Sequence, residues 1–324
     1  YVNSMVRTVT TNHEGKATGV SFINKEDNKE YKLKGKIVVL AASACSSARI
    51  LLNSKSKQHP NGLGNSSNLV GKYLHDSTGG DMMAFIPELI DRKTYNEDGV
   101  GGMHVYSPWW LDNKNLNFPR GYHIEVWGGM GAPSYGTGFN VNNFNKFFGI
   151  NNAGGYGDVL RSDMKKYYGS TIGISGRGES IAQKTNYCEI DPNKVDKYGV
   201  PVLRFNYQWT ENEINQAKHM QDTFEEIIHN MGGIPLWAKP DKKSNFGLNK
   251  PGWIIHEVGT TRMGNNPKKS VVNQYEQLHD VSNVFVVDAG PFVSQADKNP
   301  TWTIMALAWR SSEYIIDQLK KQNL

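Results

Sequence analysis

Cysteine is almost absent: Cys45 and Cys188 are the two in 324 residues, with no C-x-x-C and no paired spacing. That argues against a disulfide framework and against a structural zinc site. Long hydrophobic runs are also lacking. Stretches such as Ile37 to Ala42 stay far below the roughly 20 residues a membrane-spanning helix needs, and the mean hydropathy is −0.55. Nor is there an excess of charge of one sign: 36 Lys plus Arg stand against 31 Asp plus Glu, a net of +5. Spread over this length, that is no electrostatic footprint for nucleic acid or an anionic surface. An initiator Met is missing too. Tyr1 stands at the head of an alternating strand pattern, so the true N-terminus is expected upstream, together with any signal peptide. The compartment stays open between cytoplasm and periplasm.

What is plentiful is glycine, 33 residues, against a usual share of about 7%, which implies many turns and close backbone approaches. Val2 to Thr11, Ala17 to Asn24 and Tyr31 to Leu33 alternate and are separated by polar turns, the pattern of a β-meander. Ile37-Val-Val-Leu-Ala-Ala42 is continuously apolar, as for a parallel strand covered on both faces, and Ser43 to Leu52 reads as a helix after it. From Met82 to Leu203 the period is mostly two, predicting an antiparallel sheet. A helix follows, capped by the box Thr210/Glu213, with Ile214, Ala217, Phe224, Ile227, Ile228 and Met231 as its apolar stripe and Gly232-Gly233 as its stop. A buried-type strand, Val284 to Asp288, and a last helix over about Thr301 to Lys320 return to α/β character. The expected fold is therefore α/β, or α+β overall. A partial doubly wound domain, residues 1–75 and 251–324, is interrupted by an antiparallel-sheet domain over 76–250. One or two parallel strands need neighbours, so a part that completes the sheet is expected outside this chain.

The densest chemical signal is His256-Glu-Val-Gly-Thr-Thr-Arg-Met-Gly264, then Val284-Phe-Val-Val-Asp-Ala-Gly290, then Asn299-Pro-Thr-Trp-Thr303. An imidazole suits proton abstraction near neutral pH. Asp288-Ala289-Gly290 ends a buried strand, where open α/β sheets bind ligands. Asn299 as cap and Pro300 as first helical residue would start the last helix and aim its N–H groups into the same crevice. Each feature has a bland reading: a satisfied histidine, an ordinary strand end, a well-capped helix. Their company gives them weight.

That combination resembles the C-terminal region of the glucose–methanol–choline (GMC) flavoprotein oxidoreductases. Within the family it looks most like the gluconate 2-dehydrogenase large-subunit type, through Gly64-Asn-Ser-Ser-Asn-Leu-Val-Gly-Lys-Tyr-Leu74, Gly199-Val-Pro-Val-Leu203 and Val39-Leu-Ala-Ala-Ser-Ala44. The resemblance implies FAD as cofactor, an alcohol or sugar CH–OH donor as substrate and an electron acceptor that it does not specify. It casts His256 as the base and Asn299 as the second catalytic position. Pro300 and Thr301 would lie beside the flavin's pyrimidine edge, Asp288, Ala289 and Gly290 near the pyrophosphate and ribityl chain, Ala42 in the segment that usually reads Ala-Ala-Gly-Ala, and Val6 against adenine through its backbone. Residues 1–75 and 251–324 would belong to the FAD-binding domain and 76–250 to the substrate domain, with Trp109, Trp110, Tyr122 and Trp127 as core or sugar-stacking aromatics. Ser43 departs from the family pattern, standing where Gly is usual.

The dinucleotide fingerprint G-x-G-x-x-G is not in the chain and is expected before Tyr1 or on a complementing subunit. Gly155-Tyr-Gly157 precedes a plausible helix but lacks the third Gly, Gly173-Ile-Ser-Gly-Arg-Gly178 has the wrong spacing, and both read as turns in the sheet domain. The alternative is a non-catalytic or split-subunit chain that does not bind FAD alone, such as a carbohydrate-binding module.

Overall fold

The opening alternation folds as predicted. In the computed structural model, which describes residues 1–92, 104–107, 115–128 and 157–324, strands β1 (Ser4–Thr11), β2 (Ala17–Asn24) and β3 (Glu30–Lys34) pair antiparallel in chain order. The turn between the first two is organised by Asn12, whose Oδ1 accepts the N–H groups of Glu14 and Lys16.

The apolar run forms β4 (Val38–Leu40), which pairs in parallel with β12 (Val284–Val286), Val38 opposite Val284. Helix α1 (Ala44–Asn53) follows it. Val38, Leu40, Val284 and Val286 enter one core with Ala48, Leu51, Leu63 and Leu74. The expectation of cover on both faces fails at Val39, which is 50% exposed. Its neighbour Phe285 is buried under Tyr314 of α4 (Thr301–Lys320), ring centroids 6.3 Å apart, and that helix does not reach over Val39. The ladder uses the N–H of Val38 and a C=O at Leu40, so the peptide groups of Val39 point to the strand's other edge. Trp302, Met305 and Trp309 of α4 are also exposed.

The hairpin β9 (Tyr187–Val195) and β10 (Pro201–Asn206) packs on α1. Arg49 pairs with Asp196 at 2.8 Å and donates to the Pro201 carbonyl at 2.7 Å. This contact brings the two free cysteines together. The Cys45 thiol lies beside Cys188, and that neighbour together with burial holds it well above the ordinary thiol range.

The second sheet has the order β11 (Ile234–Pro235), β5 (Thr78–Phe85), β8 (Thr171–Gly178), β7 (Tyr122–Gly128), β6 (His104–Ser107), antiparallel throughout. Helix α3 (Glu211–Asn230) lies on it through Met220, Phe224 and Ile228 against Met82, Ala84, Ile124 and Ile174. The capping box is present, Thr210 N–H donating to Glu213 at 2.8 Å. Met231 is 39% exposed and lies beyond the helix, so it leaves the predicted stripe.

Gly173 to Gly178 is not a turn but the central strand β8. Its glycines are required by neighbours: a Cβ at Gly173 would sit 2.2 Å from the Trp127 ring, and one at Gly176 2.6 Å from Met220 Sδ. Gly157 begins a second helix, α2 (Asp158–Lys166), with φ +69°, while positions 155 and 156 lie outside the described residues. Tyr122 is fully buried core, its hydroxyl 2.7 Å from His219 Nδ1. Trp127 is half-buried and donates to Ser175, and Trp109 and Trp110 lie outside the described residues. Among the described residues no helix is long and apolar enough to cross a membrane.

Candidate active site

The spacing of the His256 motif has local causes. Val258 exchanges both backbone hydrogen bonds with His75, at 3.1 and 2.8 Å, which lays the motif along residues 73–78. Gly259 has φ +93°, and a Cβ there would stand 2.4 Å from the Tyr73 carbonyl. Thr260 donates its hydroxyl to the Ala44 carbonyl at 2.6 Å, and the Thr261 N–H reaches the Gly290 carbonyl at 2.9 Å. The motif is thus the clamp that joins the start of α1 to the strand end after β12.

His75, Asp76, Ser77 and Thr78 are all buried completely. The Asp76 carboxylate accepts the N–H groups of His256 (3.0 Å), Ser77 (2.8 Å) and Gly252 (3.1 Å), so one side chain fixes the loop that carries His256. Burial, reinforced by Glu257, pushes Asp76 up to about 6. Ser77 Oγ lies 3.3 Å from His256 Nδ1, and Asn299 Nδ2 lies 3.4 Å from His256 Nε2. An amide N–H donates, so both contacts suit the tautomer with its proton on Nδ1 and its lone pair on Nε2. Burial, with Arg177 second, lowers the His256 pKa and favours the neutral ring, the form a base needs.

Asp288 is buried at the end of β12. It accepts the Ser47 hydroxyl at 2.5 Å and the Gly290 N–H at 2.8 Å, and burial raises its pKa. Ser47 also receives the Ala42 N–H at 3.3 Å, which ties the ends of β4 and β12. A Cβ on Gly290 would meet Thr261 Oγ1 at 2.3 Å. Ala44, Val258, Ala289 and Phe292 form a small apolar cluster with Ile304 and Leu307 of α4.

Ser43 adopts φ +82°, ψ 155°, a region essentially confined to glycine, which explains why glycine is the usual residue there. Ser43→Gly should raise stability by about 1 kcal/mol, because the relieved strain exceeds the few tenths lost with the weak cap to Ser46. Thermal unfolding of the two forms side by side checks this, and an unchanged or lower midpoint would contradict it.

Asn299 is not the helix cap. The helix starts at Thr301, and Pro300 occupies the cap with φ −78°, ψ −18° and makes no side-chain cap hydrogen bond. Asn299 instead turns its amide towards His256. Pro300 is buried and Thr301 exposed. The structure therefore gathers His256, Asn299, Ala42, Asp288, Ala289, Gly290, Pro300 and Thr301 at one end of the β4–β12 pair. Val6 lies apart from this group in β1, packed against the first core. Asp76, Ser77 and Ser47 were not singled out from sequence; the signal for the first two is an acidic residue inside the run His75-Asp-Ser-Thr78 immediately before a strand.

Residues 183–308 match the family model described as GMC oxidoreductase. Over 304 residues the chain is 33% identical to the 2-methyl-1,2-propanediol dehydrogenase of Mycolicibacterium austroafricanum, covering 93% of this chain and 51% of that protein. Over 323 residues it is 26% identical to the gluconate 2-dehydrogenase flavoprotein of Pantoea cypripedii, covering 98% and 50%. Residues 183–308 thus carry the C-terminal domain of the GMC oxidoreductases. The chain spans about half the length of the curated relatives it matches. Its fold is similar to that in the crystal structure of pyridoxine 4-oxidase from Mesorbium loti, with a TM-score of 0.63 at 16% identity over 96% of this chain and 57% of that one.

The GMC family implies FAD, and the residues present fit one side of such a site. Among the described residues no side chain caps the first turn of α4, which leaves its N–H groups to meet an electron-rich ring edge. Ala41, Ala42 and Ser43 are exposed at the end of β4, and Gly290 keeps the strand end low. A phosphate-binding glycine loop is not among these residues.

Proposed function

We propose that this chain supplies the substrate-facing half of an FAD-dependent oxidoreductase acting on the CH–OH group of an alcohol or sugar. The observation that carries the proposal is the meeting of His256 Nε2 and Asn299 Nδ2 at 3.4 Å, with the far side of the imidazole held by Ser77. His256 takes the hydroxyl proton on Nε2. Asn299 hydrogen-bonds the same oxygen and orients it. FAD, when bound, supplies the acceptor for the carbinol hydride. Pro300 and Thr301 would stand at its pyrimidine edge, where the helix N-terminus favours negative charge. Ala42, Asp288, Ala289 and Gly290 would hold the pyrophosphate and ribityl side, and Val6 the adenine. In this reading residues 1–75 and 251–324 serve the cofactor and 76–250 the substrate. Relatives named for a propanediol, for gluconate and for fructose support a polyol or sugar.

The test supplies the chain with a G-x-G-x-x-G strand–helix unit, in cis or as a separate polypeptide, and mixes it anaerobically with FAD and a panel of diols, aldoses and ketoses. Bleaching of the flavin band by a member of that panel is the expected result; no bleaching by any of them would refute the reading. Asn299→Ala should slow bleaching about 10-fold, the worth of one neutral hydrogen bond, and leave the melting temperature unchanged because the residue caps nothing. A fall in melting temperature with normal rates would restore it to a structural role.

The half-exposed Val39 and the two-stranded β4–β12 sheet favour a second statement about this chain by itself. Among the described residues that edge has no neighbouring strand and no phosphate loop is present, and we infer that this chain by itself does not hold FAD tightly. An absorbance spectrum of the purified chain with and without FAD decides this: a retained flavin band after gel filtration would overturn it.

A further inference from the structure

We infer that His123 is a positioning residue: its buried imidazole, on the antiparallel sheet, holds through Asp297 the loop that presents Asn299 to His256. The inference rests on the roles proposed for those two residues. His123 is 1% exposed on β7 and shares a strand face with Glu125, which is 5% exposed; Nε2 lies 3.1 Å from Glu125 Oε1. Its Nδ1 faces the Asp297 carboxylate at 3.5 Å and has no nearer hydrogen-bond partner among the described residues. An imidazole between two carboxylates is drawn to its charged form, and those two contacts raise its pKa against burial. Asp297 stands two residues before Asn299, so the ion pair fixes the loop close to the working amide. Ser294 donates to Glu179 and pins the same loop upstream.

The other groups facing this site are Lys298, which pairs with Asp297, Tyr106 on β6, with its ring 5.3 Å from His123 and bonded to Glu125, and Arg177 opposite His123 on β8. His256 feels this cluster directly: Arg177 and His123 disfavour its protonation and Glu125 favours it. A purely structural cluster would hold the loop without shifting the base. A positioning cluster alters both.

The experiment follows the ring resonances of His123 and His256 and the side-chain amide of Asn299 by NMR across pH, in the whole chain as wild type, His123→Gln and Asp297→Asn. In Asp297→Asn the His123 midpoint should move down and the Asn299 amide should shift. In His123→Gln the His256 midpoint should move up, as a neighbouring cation has been removed. If His123→Gln does not fold, Asp297→Asn, on a loop at the surface, carries the test. A His123 midpoint and an Asn299 amide that stay at their wild-type positions in Asp297→Asn would overturn the inference. In the FAD-loaded protein either variant should cost roughly 10-fold in rate, the scale of a slight misplacement. Failure of the roles given to His256 and Asn299 would show separately, as unchanged turnover in His256→Ala with the NMR coupling intact.

Discussion

In the protein completed with the G-x-G-x-x-G unit, and on the function proposed above, replacing His256 by Ala is expected to slow flavin reduction by substrate about 10²–10⁴-fold, the range for losing a positioned general base, with FAD still bound. The reason lies in where the side chain stands. Its backbone N–H is held by Asp76 and its Nδ1 by Ser77, so the loop survives truncation at Cβ while the lone pair on Nε2 disappears. None of the groups that fit the cofactor is altered: Asp288 keeps Ser47 and Gly290, and α4 keeps its free first turn. The pH dependence supplies an independent check. A base whose pKa is lowered by burial and by Arg177 is neutral over more of the acid range. The wild-type rate should therefore fall only below the ordinary imidazole range, and that limb should vanish in His256→Ala. Anaerobic stopped-flow at several pH values measures both. A variant that reduces flavin at the wild-type rate, or keeps the same acid limb, would remove His256 from the chemistry.

What could be read from the sequence follows from how local each cause is. The terminal helix runs from Thr301 to Lys320 as expected, and the capping box at Thr210 is written in residues three apart. Both need only their own neighbours. The glycines of β8 mislead for the opposite reason: they make room for Trp127 and Met220, residues remote in sequence, and a run of glycine alone suggests turns. Asn299 has the composition of a cap but is drawn off by His256, a tertiary partner that outcompetes the local one. Val39 looks identical to its buried neighbours because its exposure depends on which strands lie beside it. His256 was found by its motif, whereas Asp76, Ser77 and His123 belong to no spacing pattern and are tied to the site only by the packing of two sheets.

Glu276→Gln is expected to stabilise the protein by about 3 kcal/mol at pH 8 and by about 1 kcal/mol or less at pH 5. Glu276 is fully buried with φ +60°. One carboxylate oxygen accepts the Ser311 hydroxyl at 2.7 Å, and the other has no hydrogen-bond partner among the described residues. Burial, opposed by Ser311 and Arg310, pushes its pKa up to about 7 from 4.5. Since the folded-state value is raised, the folded protein binds a proton that the unfolded chain releases. The contribution to stability is therefore full below pH 4.5 and is lost as pH rises through 7. The amide keeps an acceptor for Ser311 but carries no charge, so it escapes that loss. Ser311 is the one fully buried residue of α4, and the Tyr275–Tyr314 stack at 3.9 Å lies beside it. Ionisation of Glu276 therefore loosens the contact that seats the helix whose N-terminus follows Asn299. Melting curves of both forms from pH 5 to pH 8 should converge at the acid end and separate at the alkaline end. Curves that stay parallel would show that the Glu276 charge is already compensated in the fold.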